Sequence, residues 1–143
     1  MLKKIKKLYN KHKINHYVIN YLNQNTKLKN LIDEISAISD STGTSLSDYV
    51  ILYEYIRRNK PKFVLECGTG ISTYIMAQAM KDFVLPHSPD AKLVSMDDQE
   101  EWFNHQVSIF PERFKDFVEL RYSPIDSWSY SFVIGTVYKE VPD

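Results

Sequence analysis

The 143-residue chain holds a single cysteine, Cys67, so no internal disulfide can form, and a reducing compartment is expected. Net charge is also lacking: Lys plus Arg and Asp plus Glu both number 18, so no global field draws the chain to nucleic acid, and none is expected as a partner. No apolar run reaches the ~18 residues that a membrane span needs. No apolar stretch follows the basic start, which excludes a secretory signal peptide. These absences predict a soluble, cytoplasmic protein. No Gly-Lys-Ser/Thr phosphate loop and no Ser-His-Asp set is present. His12 and His16 stand four apart without a third ligand, so no metal is expected. Glycine is scarce as well, at four residues, and that scarcity gives weight to the place where two of them stand one residue apart.

What is present divides the chain in two. Residues 1–38 read as a helical, lysine-rich extension. Lys3, Lys4, Lys6, Lys7, Lys11 and Lys13 occur with no acid among them. Leu2, Ile5, Leu8 and Tyr9, then Tyr17, Val18, Tyr21 and Leu22, then Leu28, Leu31, Ile32 and Ile35 recur at helical spacing. Asparagines between 10 and 30 predict breaks. A solvated helix face is the ordinary reading of such a lysine run, and weak peripheral contact with an anionic membrane, or with RNA, is the alternative. Residues 39–47 read as a loop, with Ser47 as the cap of a helix that ends before Pro61.

Residues 39–143 read as an α/β unit. A short apolar run at 62–66 suits a strand buried on both faces. Apolar residues from Ile71 to Phe83 then recur at helical spacing. A second strand at 92–96, a helix over 100–110 and an alternating strand at 117–122 follow. The pattern β-α-β-α-β predicts a parallel sheet with right-handed crossovers. The tail, Trp128 to Tyr138, reads as one bulged strand or a hairpin.

Gly68 and Gly70 fall between the first strand and its helix, in FVLECGTGIST. Backbone without Cβ atoms turns sharply there and lies close to a ligand, and the loop sits at the carboxyl edge of the sheet, where open α/β sheets bind ligands. Glu66 ends the strand, where a carboxylate meets a cationic ligand group or loop amides. Asp97 ends the second strand, 27 residues beyond Gly70, where an acid meets ribose hydroxyls or caps the next helix. Trp102 follows, either as a cover for an adenine ring or as helix packing. Thr73 stands where a dinucleotide fingerprint has its third glycine, and together with Glu66 this counts against NAD.

VLECGTGIST resembles the first motif of class I S-adenosylmethionine-dependent methyltransferases, and SMDDQEEW resembles their second. SLSDYVILYEYI resembles the helix that precedes the first strand in the small-molecule members. The resemblance spans residues 44–126. It implies a Rossmann-like doubly wound sheet and S-adenosylmethionine as cofactor. Glu66, Gly68, Thr69, Gly70 and Ser72 would hold its methionine end, Asp97 and Asp98 its ribose, and Trp102 and Ser123 would lie by the adenine. The family's usual acid after the third strand is replaced by Ser123-Pro124. The implied activity is methyl transfer to a small-molecule acceptor that the sequence does not name. Transfer from a sulfonium rests on proximity and orientation, so no catalytic base is assigned. The family sheet has seven strands and only three are legible here, so a partial domain is expected, with the glycine-bearing strand near a sheet edge. A truncated, non-catalytic remnant that binds cofactor weakly or only self-associates, as a homo-oligomer, is the competing expectation. An NAD-binding Rossmann domain stands behind both.

Overall fold

A computed structural model describes residues 2–39, 45–131 and 133–142. It is an α/β arrangement of five α-helices, a three-stranded parallel sheet and a separate two-stranded antiparallel pair. Helix α1 spans Leu2–Gln24 and α2 spans Thr26–Ser36. Of the breaks expected between 10 and 30, one falls at Asn25, whose side-chain oxygen accepts the Leu28 amide at 3.2 Å and so caps α2, while α1 runs unbroken through Asn10, Asn15, Asn20 and Asn23. Helix α3 spans Leu46–Asn59. Its cap is Ser45, not Ser47: the Ser45 amide donates to Asp48 Oδ2 at 3.0 Å, while the Ser47 hydroxyl meets that of Ser45 at 2.7 Å. Asp48, three residues after Ser45, completes a capping box that Ser47 has no acid to form. Of the predicted loop 39–47, residues 40–44 lie outside the described residues, as do the side chains of Leu2, Ile5, Leu8 and Tyr9.

Strand β1 (Phe63–Cys67), α4 (Ile71–Phe83), β2 (Lys92–Asp97), α5 (Glu100–Ile109) and β3 (Val118–Tyr122) realise the predicted alternation. The sheet order is β1-β2-β3, all parallel, with Glu66 level with Ser95 and Asp97 level with Tyr122. Residues level with one another share a face. Val64, Glu66, Leu93, Ser95, Val118, Leu120 and Tyr122 therefore lie on one side. Glu66 meets Thr73 of α4 there, and Tyr122 meets the ring of Phe103 of α5, so both helices cover the same face. On the other face Phe63 and Leu65 are 50% and 42% exposed, flanking the buried Val94 and Met96. The expectation that β1 is buried on both faces is thus corrected. β1 is an edge strand and lacks a neighbour on one flank among the described residues, as expected of a sheet short of strands.

The main core lies between the sheet and the helices. Leu28 and Ile35 of α2, Val50 and Ile56 of α3, and Tyr74, Ile75 and Met80 of α4 are almost wholly buried together with Leu93 and Phe114. The region read as an extension therefore shares a core with the sheet. Undocking α2 would expose its four buried aliphatic side chains, at roughly 1.5–3 kcal/mol each. No helix among the described residues is long and apolar enough to cross a membrane.

Glu54 ties α1 to α3. It is buried and accepts from Tyr21, from Arg57 at 2.7 and 2.8 Å, and from Arg58 at 3.0 Å. These partners, Arg57 first, hold its carboxyl near pKa 2, against an ordinary value of 4.5. The folded value is depressed, so the stabilisation is present above pH 4.5 and is lost as pH falls through 2. Both arginines are solvent-facing, which screens the interaction to about 2 kcal/mol. Acid unfolding followed by circular dichroism is expected to lose less stability between those pH values in Glu54→Gln than in the native chain. Parallel profiles would show that Glu54 does not couple to folding.

The tail is the hairpin of the two expected forms. Strands β4 (Ile125–Tyr130) and β5 (Val133–Tyr138) pair antiparallel, with Ser131 at φ 55° in the turn. Positive φ at this place suits a two-residue hairpin loop. Gly135 lies within β5, level with Trp128.

Candidate functional site

Every residue that the sequence singles out lies along the carboxyl edge of the parallel sheet. Gly68 adopts φ 93°, a conformation that glycine reaches without the cost a Cβ imposes, and its amide donates to the Met96 carbonyl at 2.7 Å. That bond turns the chain off β1 across the end of β2. The space where a Gly68 Cβ would project is open, with nothing within 4 Å. Thr69 and Gly70 are buried, and α4 begins directly after them.

Asp97 is the fastener of this loop. It is buried, and its two oxygens accept the Thr69 amide at 2.8 Å and the Gln99 amide at 3.0 Å. One carboxylate thus holds both the glycine loop and the start of α5. Trp102 adds a second tie, its indole N–H donating to the Thr69 carbonyl at 2.6 Å. The ring also approaches His105, at 5.7 Å between centroids. Trp102 thus reaches the loop itself rather than packing only within its helix.

Glu66 sits under the loop on the helix-covered face. The hydroxyls of Ser72, Thr73 and Ser95 donate to it at 2.5, 2.6 and 2.7 Å. Thr73 Oγ1 also accepts the Gly70 amide at 3.1 Å, which joins the acid to the loop. Ser72 belongs to the set expected from sequence. Thr73 and Ser95 were not assigned roles there, although each is a hydroxyl at an otherwise apolar position of a buried helix face or strand. Burial raises the Glu66 pKa, the three hydroxyls oppose that rise, and the nearby Asp97 adds to it. No Lys, Arg or His forms an ion pair with Glu66 among the described residues. A carboxylate that is desolvated and held only by neutral donors is a strong attractor for a cationic group.

The far end of the site is closed by the hairpin. Ser123 is buried, and its amide donates to the Asp97 carbonyl at 2.8 Å. Its hydroxyl accepts the Glu140 amide at 2.8 Å, and the Lys139 amide donates to the Pro124 carbonyl at 3.0 Å. Ser123 therefore spends its hydroxyl on anchoring the return of the hairpin. Tyr138, at the hairpin base, feels Asp98, Cys67 and Asp97, and burial followed by these charges pushes its phenol pKa up. The hairpin base is tied through Ser123 to the end of β2, an anchor that the sequence did not reveal. Asp98 is partly exposed at this edge. Glu66, Ser72, Thr69, Asp97, Trp102 and Ser123 form one connected network, with Gly68 and Gly70 as its turn and Asp98 beside it. Set against models of protein families and against curated proteins, the chain matches none of either.

Proposed function

We propose that this chain binds S-adenosylmethionine across the carboxyl edge of its parallel sheet and acts as a methyltransferase on a small-molecule acceptor. The observation that carries the reading is Glu66: a desolvated carboxylate below a glycine turn, held by three hydroxyls and, among the described residues, paired with no cation. The cofactor's methionine end brings an ammonium and a sulfonium, the charges that such a group lacks. Gly68 leaves room for the approach, since no atom lies where its Cβ would project. Asp97 spends one lone pair of each oxygen on a backbone amide and retains others for ribose hydroxyls. Trp102 and the partly exposed Asp98 line the remaining edge, where a nucleoside would extend. The three parallel strands and two same-side helices suit one half of a Rossmann-like sheet.

Among the described residues, the chain's own groups bind and orient the cofactor; in-line transfer asks for no base among them. A pyrophosphate would meet the negative charge of Glu66, which weighs against NAD. Calorimetric titration of the chain with S-adenosylmethionine, S-adenosylhomocysteine and NAD tests the reading. Saturable one-site binding of the first two and none of the third is the expected result. A folded monomer that binds neither sulfur nucleoside would overturn it, and folded chain that binds without turnover of any acceptor would favour the non-catalytic alternative.

A further inference from the structure

The flank of β1 that faces away from β2 leaves backbone chemistry unmatched. β2 is held through the even-numbered residues of this segment: the Gly68 amide donates to the Met96 carbonyl at 2.7 Å, and the Lys62 carbonyl accepts the Lys92 amide at 2.9 Å. In an extended strand the N–H and C=O of one residue point to the same side, and the side alternates from residue to residue. Those of Phe63, Leu65 and Cys67 therefore face outward, and all three residues are exposed. No strand pairs with them among the described residues. The sheet's other edge is protected. There β3 carries Glu119 and Arg121, paired at 2.6 Å, and Arg121 also donates to the Glu140 carbonyl at 3.0 Å. β1 has none of the devices that blunt an edge: it holds no proline and no bulge, and its one charged residue, Glu66, is turned under the helices.

The helix layer continues on this side. Tyr74 of α4 meets Gln106 and Phe110 beside α5, whereas Phe83, roughly two and a half turns further along α4, meets Tyr53 of α3. α3 and α5 thus hold opposite sides of α4. Since α5 packs over β2 and β3, α3 carries the layer out toward the β1 flank. Two-fold pairing of β1 with the β1 of a second copy would be antiparallel and would keep both helix layers on one side, bringing the second α4 against α3. A lone strand meets no such conflict. The outward peptide groups define its chemistry, because a row of alternating N–H and C=O partial charges is complemented by another extended backbone and not by a bilayer surface or a helix face. We infer that the β1 flank takes up one extended segment of a partner protein as an added strand, with apolar side chains beside Phe63 and Leu65. This inference stands apart from cofactor binding.

The probe is a fluorescein-labelled peptide of alternating valine and threonine with lysine ends, used in anisotropy with the full chain. Two further forms are N-methylated, one at every valine and one at every threonine. An added strand turns only one alternate set of its amides toward β1. The parent peptide is therefore expected to bind at one site, one methylated form to bind within about threefold of it, and the other to bind at least about tenfold more weakly. Leu65→Pro removes the central outward N–H and spares the ladder to β2, as proline does on an edge strand, and is expected to weaken the parent peptide at least about tenfold. Hydrogen exchange reads the native chain directly: the Leu65 and Cys67 amides are expected to exchange at least about tenfold faster than those of Val64 and Glu66, and to slow when the peptide binds. No binding of the parent peptide, equal weakening by both methylations, or binding that leaves the Leu65 and Cys67 amides unprotected would overturn the inference. Self-association in sedimentation that Leu65→Pro abolishes, without peptide binding, would also overturn it and assign the flank to a second copy.

Discussion

Replacing Asp97 with alanine is expected to cost about 3–5 kcal/mol of stability, because the buried Thr69 amide and the part-buried Gln99 amide lose a charged acceptor at once. In a chain of this length the melting temperature is expected to fall by roughly 10–20 °C in a calorimetric scan. Asp97→Asn keeps one side-chain oxygen but turns an NH₂ group toward one of the two amides, so its loss should be only partly smaller. The effect is large because Asp97 acts at two places. It holds Thr69 in the glycine loop and Gln99 ahead of α5, elements that follow different strands. A melting temperature within a degree or two of the native chain would show that the Trp102 tie to the Thr69 carbonyl suffices to hold the loop. The same substitution bears on ligand binding. With the loop released, affinity for S-adenosylmethionine should vanish even where the residual fold persists.

Gly68→Asp is expected to abolish cofactor binding, by more than about a hundredfold in calorimetric titration, while lowering stability only modestly. The backbone cost of a side chain at φ 93° is about 1–2 kcal/mol. The new carboxylate would project into the open space at the Gly68 turn, in the path of the proposed ligand. Gly68→Ala separates the two effects, since it carries the same backbone strain but adds no charge and meets no atom. Retained binding in Gly68→Ala with loss in Gly68→Asp is the expected pattern. Unchanged affinity in Gly68→Asp would remove the glycine loop from the binding site.

The parallel strands and their helices were legible because their signals are local. An apolar run ending at Glu66, a glycine pair and a 3.6-residue period need no knowledge of distant contacts. The break at Asn25 was legible for the same reason. The cap of α3 was displaced by two residues because both Ser45 and Ser47 can cap, and only the spacing to Asp48 separates them. Of the hydroxyls around Glu66, Ser95 was hidden by distance along the chain: it reaches the acid from the neighbouring strand, 29 residues away. The face of β1 was misjudged because Phe63 and Leu65 are apolar whether or not anything covers them. Apolar character records what a strand could bury, not what lies against it. Trp102 illustrates the converse: its spacing suits helix packing, yet its indole N–H finds a carbonyl across the site, as a half-buried tryptophan generally must.

The open flank of β1 has a directional consequence. Gly68 donates toward β2, and the Lys62 carbonyl accepts from it, so the even-numbered residues between them hydrogen-bond inward. The peptide groups of Phe63, Leu65 and Cys67 therefore point away from the sheet, as rungs of a ladder with one rail missing. A strand laid on those rungs would flank the side chains of Phe63 and Leu65 and run out beside the Gly68 turn. A strand paired there, from the same polypeptide or another, would end beside the Gly68 turn, so pairing at this edge and the shape of the candidate site would be coupled.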